Sequence, residues 1–353
     1  MPDFGGIYQE GIVGFPRYLN PILAQTNEAD RDVTAVVFSG LLKPDPNGGL
    51  MTDLAERYFV SDDGKTYEFF LKHNLKWHDN KDLNADDVFF TITRIQNPDF
   101  RSPLRLNWQG VEIEKIDNWG IRFKLKNPYA PFLDNLTVGI LPKHIWEKIS
   151  APNFPLTEYN SKPIGSGPYK FKKLQKDASG TIKTLELEAF AGYSPQKPFI
   201  KTLIFRFFKD EDSVINTYNS QNGEVNGLGF VSAKNISKLK NNLNLNKLIL
   251  PRYFAAFFNQ TQSKALADKS VRQALNYAVN KQEIIAKALF NEAVAIDSAV
   301  PPFSENNYQN IFNLEQAKTI LEGAGWNVGT TSPVRQKTIN KENRFNLIFE
   351  NLI

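Results

Sequence analysis

The sequence predicts an α/β protein with mixed sheets and two or more lobes. Several segments alternate apolar and polar residues with the period of two that half-buried strands show. Other segments place apolar residues at helical spacing behind a polar side chain that can cap a helix. The chain has 353 residues, which is enough to bury a large core and to form more than one lobe.

Composition excludes several classes of protein. A hydrophobic fraction of 41% and a charged fraction of 23% are ordinary for a globular protein, so wholesale disorder is not expected. The formal net charge of +4 is spread along the chain without a basic stripe, so we expect no nucleic acid partner. The chain has no cysteine, which excludes disulfides, thiolate metal sites and cysteine nucleophiles. It also has no run of roughly 20 apolar residues that would span a bilayer.

The first 49 residues predict a strand, a loop and a helix. The strand covers Ile7 to Val13, and the helix covers about Asp32 to Leu41. A segment rich in proline and glycine, 43–49, follows. It marks a boundary, because these residues favour turns and interrupt regular structure.

Residues 58–71 predict a β-hairpin. Tyr67, Phe69 and Leu71 alternate with polar residues after the turn sequence Asp62-Asp63-Gly64. Glycine suits the last position of this turn because it tolerates a positive φ. The alternation predicts one buried and one solvated face for the hairpin.

A capped helix is predicted after the hairpin. Asn84 can accept a hydrogen bond from a free backbone N–H near Asp87, as side chains at helix N-termini do. The apolar residues that follow at helical spacing are expected to pack on the core. They are Val88, Phe89, Ile92 and Ile95.

Further strands and a short helix are predicted up to residue 208. A second hairpin turns at Asp117-Asn118, with apolar residues alternating on both of its strands. The remaining elements are a helix near 142–149 and strands at 169–174, 183–190 and 202–208.

The last hundred residues predict helices and two strands. Asn280 with Glu283 resembles a capping box, and Asn313 with Gly323 brackets another helix as its N-cap and C′ residues. Val271, Leu275 and Ala278 form one helix face. The strands are expected at 252–259 and at 345–349, the second with no partner after it.

Several of these segments resemble one known family. The text "LKHNLKWHDNKDLNADDVFFTITRI" resembles the signature region of the family 5 extracytoplasmic solute-binding proteins of ABC importers. The opening segment 5–42, Ile164 to Tyr169, "SVRQALNYAVNKQEII" and "NLEQAKTILEGAGW" resemble further segments of this family in the same order. Two small departures occur: Asn80 stands where the family usually has glycine, and Ser166 where it often has threonine.

The resemblance implies a two-lobed clamshell like that of periplasmic binding proteins, in the class with an extra N-terminal subdomain. Residues 1–49 and 164–249 would form the first lobe, 50–163 the inserted subdomain and 250–353 an incomplete second lobe. It also implies an extracytoplasmic location. We expect that an export segment and a C-terminal part of the family pattern are missing here, and that this form binds less well than a longer one.

The implied function is capture of a peptide, or a similar small solute, for delivery to the permease subunits of an ABC transporter. Two of the residues that the resemblance assigns to the ligand lie in the loop before the first helix, and three lie at the start of the second lobe. Leu104 departs from peptide binders that carry tyrosine at this position. The residues expected to bind ligand are Asn27, Glu28, Leu104, Trp108, Ser166, Tyr253, Phe257 and Asn259.

Other functions remain open from the residues alone. Within the family the cargo could be an oligosaccharide or a metal chelate; outside it, the chain could be a secreted hydrolase of peptides or glycans, or an interaction protein without a working cleft. We expect no catalytic residue, metal or cofactor. No G-x-S-x-G motif occurs, and the histidines lack a second ligand at metal spacing. We expect a monomer that meets the membrane only through a missing anchor or the permease.

Overall fold

The computed structural model describes residues 3–193, 197–220, 222–240, 244–246, 253–296, 312–328, 334–340 and 343–347. The chain divides into two compact units, Met1–Val231 and Ser232–Ile353. No helix in the described ranges is long and apolar enough to cross a membrane. The expected division into lobes at 50, 164 and 250 stays a prediction.

The strands and the helices are numbered separately along the chain. The strands are β1 (Gly5–Val13), β2 (Leu42–Pro44), β3 (Leu50–Thr52), β4 (Ala55–Val60), β5 (Thr66–Leu71), β6 (Val111–Lys115), β7 (Gly120–Leu125), β8 (Tyr169–Lys176), β9 (Ile182–Ala189), β10 (Ile200–Phe208), β11 (Gly227–Leu228), β12 (Asn327–Val328), β13 (Arg335–Asn340) and β14 (Asn343–Leu347). The α-helices are α1 (Glu28–Val37), α2 (Ala85–Gln96), α3 (Phe132–Asn135), α4 (Lys143–Trp146), α5 (Glu211–Asn219), α6 (Lys264–Ala267), α7 (Lys269–Ala278), α8 (Lys281–Ala288) and α9 (Leu314–Gly323).

A five-stranded mixed sheet in the first unit has the order β11-β1-β10-β9-β8. Strand β1 is parallel to both of its neighbours, and β8, β9 and β10 are antiparallel. Strands from both ends of the unit therefore share one sheet. Gly11 of β1 lies against α5, since an added Cβ there would lie 2.3 Å from Val214. A larger residue at position 11 would require this valine side chain or its helix to shift.

The second sheet of the first unit is antiparallel, with the order β4-β5-β7-β6. Both predicted hairpins are confirmed, because β4 pairs with β5 and β6 pairs with β7. Tyr67, Phe69 and Phe123 are buried on one face. On the other face Arg122 pairs with Glu68 at 2.7 Å and with Glu114 at 3.2 Å. The alternation of the sequence thus follows the two faces of the sheet.

Helix α2 begins as predicted but packs differently. The Asn84 side chain and Asp87 form a complete capping box, with Asn84 N donating to Asp87 Oδ2 at 3.0 Å. The prediction that Phe89 packs on the core is wrong, because Phe89 is 39% exposed whereas Phe90 is 6% exposed. Arg94 lies 4.6 Å from the Phe90 ring, so that a guanidinium covers the edge of the buried face.

Helix α1 spans Glu28–Val37 and so begins and ends four residues earlier than predicted. The physical reason is its cap: the Asn27 side chain accepts from Asp30 N, which starts the helix before Asp32. The helix ends where Phe38 adopts extended backbone angles.

The second unit has a small core between α7 and α9. Val271 and Ala274 of α7 pack with Leu321 of α9 and with Trp326. Asp268 accepts from Trp326 Nε1 at 3.0 Å and from Lys337 Nζ at 2.8 Å. Burial opposes ionisation of Asp268, but the Lys337 and Trp326 hydrogen bonds outweigh it and lower the pKa of this carboxyl to about 2.

Some predictions for the second unit are wrong. The positive-φ glycine after α9 is Gly325, with φ of +82°, and Gly323 is the last helical residue. Residues 253–259 do not form a strand, because no strand of the described residues lies beside them to supply hydrogen bonds. Strand β14 pairs with β13, which precedes it, and the prediction that no partner follows it concerns residues outside the described ones. Phe349 lies outside the described residues.

One loop passes unusually close to α1. The residues Gly165–Gly167, here called the crossing loop, lie against the last turn of this helix. Gly167 N donates to Val37 O at 2.8 Å. An added Cβ on Gly165 would lie 1.9 Å from Val37 O, and one on Gly167 would lie 2.7 Å from Val36 O. Only glycine fits at these two positions.

His78 holds the crossing loop from the other side. Its backbone N donates to Gly165 O at 2.9 Å. Its Nδ1 accepts from Gly165 N at 3.1 Å, and its Nε2 lies 3.0 Å from Gly167 O. Since Gly165 supplies the proton for Nδ1, the imidazole is neutral and carries its own proton on Nε2. Burial lowers the pKa of His78 to about 4 from its ordinary value of 6.5.

We predict that Gly165→Ala destabilises the protein by at least about 2 kcal/mol, because the methyl group would overlap the Val37 carbonyl and the loop would have to move. Gly323→Ala is the control: nothing lies within 4 Å of the added Cβ, and the position is helical. The control should change stability by less than about 1 kcal/mol. Urea unfolding measures both, and equal effects would contradict the close crossing.

We predict that the free energy of unfolding falls at acidic pH because of the lowered pKa of His78. The unfolded chain takes up a proton on this histidine below about pH 6.5, whereas the folded protein does so only near pH 4. The unfolded state therefore binds more protons in this window, and the free energy of unfolding should fall by about 3 kcal/mol as the pH drops through it.

The measurement is urea unfolding at several pH values for the parent, His78→Gln and His73→Gln. His78→Gln should have a flatter profile than the parent across this window. His73→Gln is the control, because the His73 side chain is exposed and makes no hydrogen bond to the crossing loop. Parallel profiles for the parent and His78→Gln would contradict a neutral, half-buried His78.

Candidate functional site

The first two predicted ligand residues lie where the loop before α1 joins the helix, since Asn27 is the N-cap and Glu28 is the first helical residue. Asn27 is used within the loop: its Oδ1 accepts from Asp30 N at 3.4 Å, and its Nδ2 donates to Phe15 O at 2.9 Å. The Glu28 side chain is 66% exposed and pairs with Arg31 at 3.2 Å. Asn27 therefore shapes the loop, and the Glu28 carboxylate lies on its surface.

Asp30 fixes the same loop from the first turn of α1. Its Oδ1 accepts from Arg17 N at 2.7 Å and from Tyr18 N at 3.0 Å. The residue is buried, and burial raises the pKa of its carboxyl although both backbone hydrogen bonds act in the opposite direction. The segment that precedes α1 is thus tied to the helix by side chains three residues apart.

Leu104 is brought beside this loop by a serine. Ser102 Oγ donates to Ile22 O at 2.6 Å and accepts from Leu104 N at 3.3 Å. Leu104 is half-buried and packs against the core of the first unit. The structure therefore places Leu104 close to the chain that leads to Asn27.

Trp108 lies in the core rather than on a surface. Its side chain is 1% exposed, and its ring contacts Phe123 and Phe132 with centroids 5.8 and 5.7 Å apart. The indole thus packs between the second sheet and α3. Trp108 is not among the ligand contacts that we propose, because a ligand could not reach its ring without opening this core.

Ser166 lies at the opposite end of α1 from Asn27. It belongs to the crossing loop, is 5% exposed and accepts from Ser39 N at 3.4 Å. A ten-residue helix is about 15 Å long, so Ser166 is roughly that far from the loop that carries Glu28. Its hydroxyl serves the packing of the crossing loop.

The predicted residues of the second unit lie in an irregular segment. Tyr253 is 41% exposed and Phe257 is 87% exposed. Asn259 Oδ1 accepts from Thr261 N at 3.2 Å and from Gln262 N at 3.1 Å, which closes a turn. Its Nδ2 donates to no residue of the described ranges. This segment therefore offers aromatic rings and one amide donor.

The sequence reasoning missed the residues that hold these surfaces in shape. Asp30 could have been found, because an acidic residue three positions after a capping asparagine is a familiar feature of helix starts. Ser102 and His78 could not, because their partners Ile22 and Gly165 lie 80 and 87 residues away. Within the described ranges no group of three or more histidine or acidic side chains is arranged to hold a metal ion.

The chain matches a family model over most of its length. Residues 49–350 match the model described as bacterial extracellular solute-binding proteins, family 5 Middle. Among curated proteins, the dipeptide-binding protein of Escherichia coli (strain K12) is 32% identical over 302 residues. The match covers 78% of this chain but only 55% of that relative's length.

Two solved structures are similar to this fold. NikZ from Campylobacter jejuni, in complex with Ni(L-His), is 30% identical with a TM-score of 0.69. The match covers 94% of this chain and 65% of NikZ. The oligopeptide-binding protein AppA from Bacillus subtilis, in complex with a nonapeptide, is 27% identical with a TM-score of 0.69. The match covers 98% of this chain and 68% of AppA. The likeness to these structures confirms the predicted α/β, two-lobed fold class.

The match over residues 49–350 covers well over half of the chain. The predicted family is therefore confirmed. This family is one of solute-binding proteins rather than of catalysts. The chain belongs to the family 5 bacterial extracellular solute-binding proteins.

Proposed function

We propose that this protein is the solute-binding component of an ABC importer, which captures a peptide or a similar small solute and delivers it to permease subunits. The observation that carries the proposal is the family match over residues 49–350. The structural likeness to AppA, whose structure holds a nonapeptide, favours peptides over other solutes. We propose an extracytoplasmic location, in line with the description of the family as extracellular, and we propose that the protein is a monomer.

The first unit would contribute the loop before α1. Glu28 carries a carboxylate on the loop surface, which suits an amide or an ammonium group of a peptide through a charge-assisted hydrogen bond. Leu104 lies beside the same loop and presents an apolar, half-buried side chain. Asn27 and Asp30 hold this loop rigid, which lowers the entropy lost on binding.

The second unit would contribute the segment 253–259. Because the Oδ1 of Asn259 is occupied by the turn, its Nδ2 would be the atom that donates to a peptide carbonyl. The exposed rings of Tyr253 and Phe257 would cover apolar side chains of the ligand. We propose Tyr253, Phe257 and Asn259 as ligand contacts of the second unit, and Glu28 and Leu104 as ligand contacts of the first unit.

A metal chelate is the second candidate ligand. The observation that favours it is NikZ, which is 30% identical and whose structure contains Ni(L-His). Calorimetric titration with a mixed peptide library and, separately, with Ni(L-His) distinguishes the two. The peptide proposal expects heat from the library alone.

We predict that a bound ligand is released with its covalent structure intact, because a solute-binding protein releases what it captures. The measurement incubates the protein with a peptide library and follows every peptide by mass spectrometry for many hours, beside a sample without protein. Peptides that bind should be recovered intact. A product that accumulates with protein and disappears after one point substitution would indicate a hydrolase instead.

We predict that Asn259→Asp weakens peptide binding by roughly 1 to 3 kcal/mol. Aspartate keeps the oxygen that closes the turn but lacks the Nδ2 donor, so the melting temperature should stay near that of the parent. Thr261→Val serves as the control, since it removes only a hydroxyl that bonds Asn259 Oδ1 at 2.8 Å. Calorimetric titration of both variants with the same peptide measures their affinities. An Asn259→Asp affinity equal to that of the parent would show that Asn259 does not contact the ligand.

A further inference from the structure

Three asparagines of the chain are followed directly by glycine: Asn47, Asn222 and Asn226. The backbone nitrogen of the following residue can attack the side-chain amide carbon of an asparagine and close a five-membered ring. Glycine hinders this attack least, because it carries no Cβ. These three dipeptides are therefore candidate sites of one chemical modification, and none of them is among the proposed ligand contacts.

All three asparagines are exposed, but the nitrogens that would attack them are engaged differently. Asn47 lies in the turn that joins β2 to β3, where Gly48 N donates to Asp45 O at 2.9 Å. The nitrogen of Gly48 must leave this hydrogen bond before it can attack. The turn that exposes Asn47 therefore also protects it.

Asn226 is protected by its attachment to β1. Its Oδ1 accepts from Gln9 N at 2.9 Å, and its backbone N donates to Gln9 O at 2.8 Å. The attacking residue would be Gly227, the first residue of β11, which pairs with Glu10 of β1. Attack at Asn226 therefore requires this edge of the sheet to open locally.

Asn222 lacks both kinds of protection. Within the described ranges Gly223 N donates to no residue, and nothing lies within 4 Å of a Cβ added to Gly223. Asn222 Oδ1 accepts from Glu224 N at 3.0 Å. This hydrogen bond stabilises the negative charge that develops on the amide oxygen during attack. At this site the nucleophile is thus free and the carbon that it attacks is activated.

We propose that Asn222 is the site at which the folded chain deamidates first. Gly223 N gives up its proton and forms a bond to Asn222 Cγ. The bond from Cγ to Nδ2 breaks, and Nδ2 leaves as ammonia with that proton. One water then opens the ring at either carbonyl and returns a hydrogen to Gly223 N, which leaves aspartate or isoaspartate at position 222.

The modification changes a point at which two strands are tied to the segment before β11. Gly223 O accepts from Gln9 Nε2 at 2.6 Å, and Gln9 Oε1 accepts from Arg206 Nε at 3.0 Å. Either product adds a negative charge next to Glu224. Isoaspartate also adds one carbon to the backbone before Gly223, and so shifts the carbonyl that is bound to β1 and, through Gln9, to β10.

The test ages the 353-residue chain in mildly alkaline buffer, once folded and once unfolded in urea. Digestion at acidic pH and fragmentation mass spectrometry then follow the three asparagines separately. The rate in the folded chain divided by the rate in urea removes the effect of the neighbouring sequence. This ratio should be at least about threefold higher for Asn222 than for Asn47 or Asn226, because at least one hydrogen bond fewer has to break.

Asn222→Gln and Asn47→Gln are matched variants, since each keeps a side-chain amide but would need a six-membered ring. Circular dichroism confirms that each is folded, and methylation by a protein isoaspartyl methyltransferase measures isoaspartate in the aged samples. Asn222→Gln should lose most of the methylation of the parent, and Asn47→Gln should keep most of it. Equal rate ratios at the three sites, a higher ratio at Asn47 or Asn226, or a greater loss of methylation in Asn47→Gln overturns the proposal.

Discussion

The first unit depends on the crossing of Gly165–Gly167 over the last turn of α1. The backbones approach so closely that a Cβ on Gly165 would lie 1.9 Å from Val37 O. His78 closes the arrangement from the far side with a backbone hydrogen bond and both ring nitrogens. A helix, a loop and the segment after β5 are thereby joined at one point, where one half-buried, neutral imidazole satisfies backbone groups of the buried residues Gly165 and Gly167.

This crossing and the proposed ligand loop lie at the two ends of the same helix. Asn27 and Asp30 tie the loop to the first turn of α1, while the crossing loop and Ser166 hold the last turn. A rigid helix fixed at one end positions the groups at the other. The proposed ligand surface of the first unit is therefore stabilised from the far end of α1, where the Ser166 hydroxyl accepts a hydrogen bond from Ser39 N.

Local patterns predicted the parts of the fold that local interactions determine. The hairpin predicted at 58–71 and the helix cap predicted at Asn84 follow from alternation and from residues a few positions apart, and both are present. The position of Phe89, the burial of Trp108 and the absence of a strand at 253–259 depend instead on what packs beside them. The role of His78 needed a partner 87 residues away, which no pattern in one sequence reveals.

The close crossing implies that the crossing loop and the last turn of α1 open only together. Native-state hydrogen exchange measures it directly, through the amides of Gly165 and Gly167 in the loop and of Val37 and Phe38 at the end of α1. Gly165 N and Gly167 N are donors to His78 and to Val37, and Phe38 N donates to Thr34. Opening free energies that agree within about 0.5 kcal/mol, and that fall together in His78→Gln, are the result this account predicts. Loop amides that exchange far faster than those of the helix would contradict it.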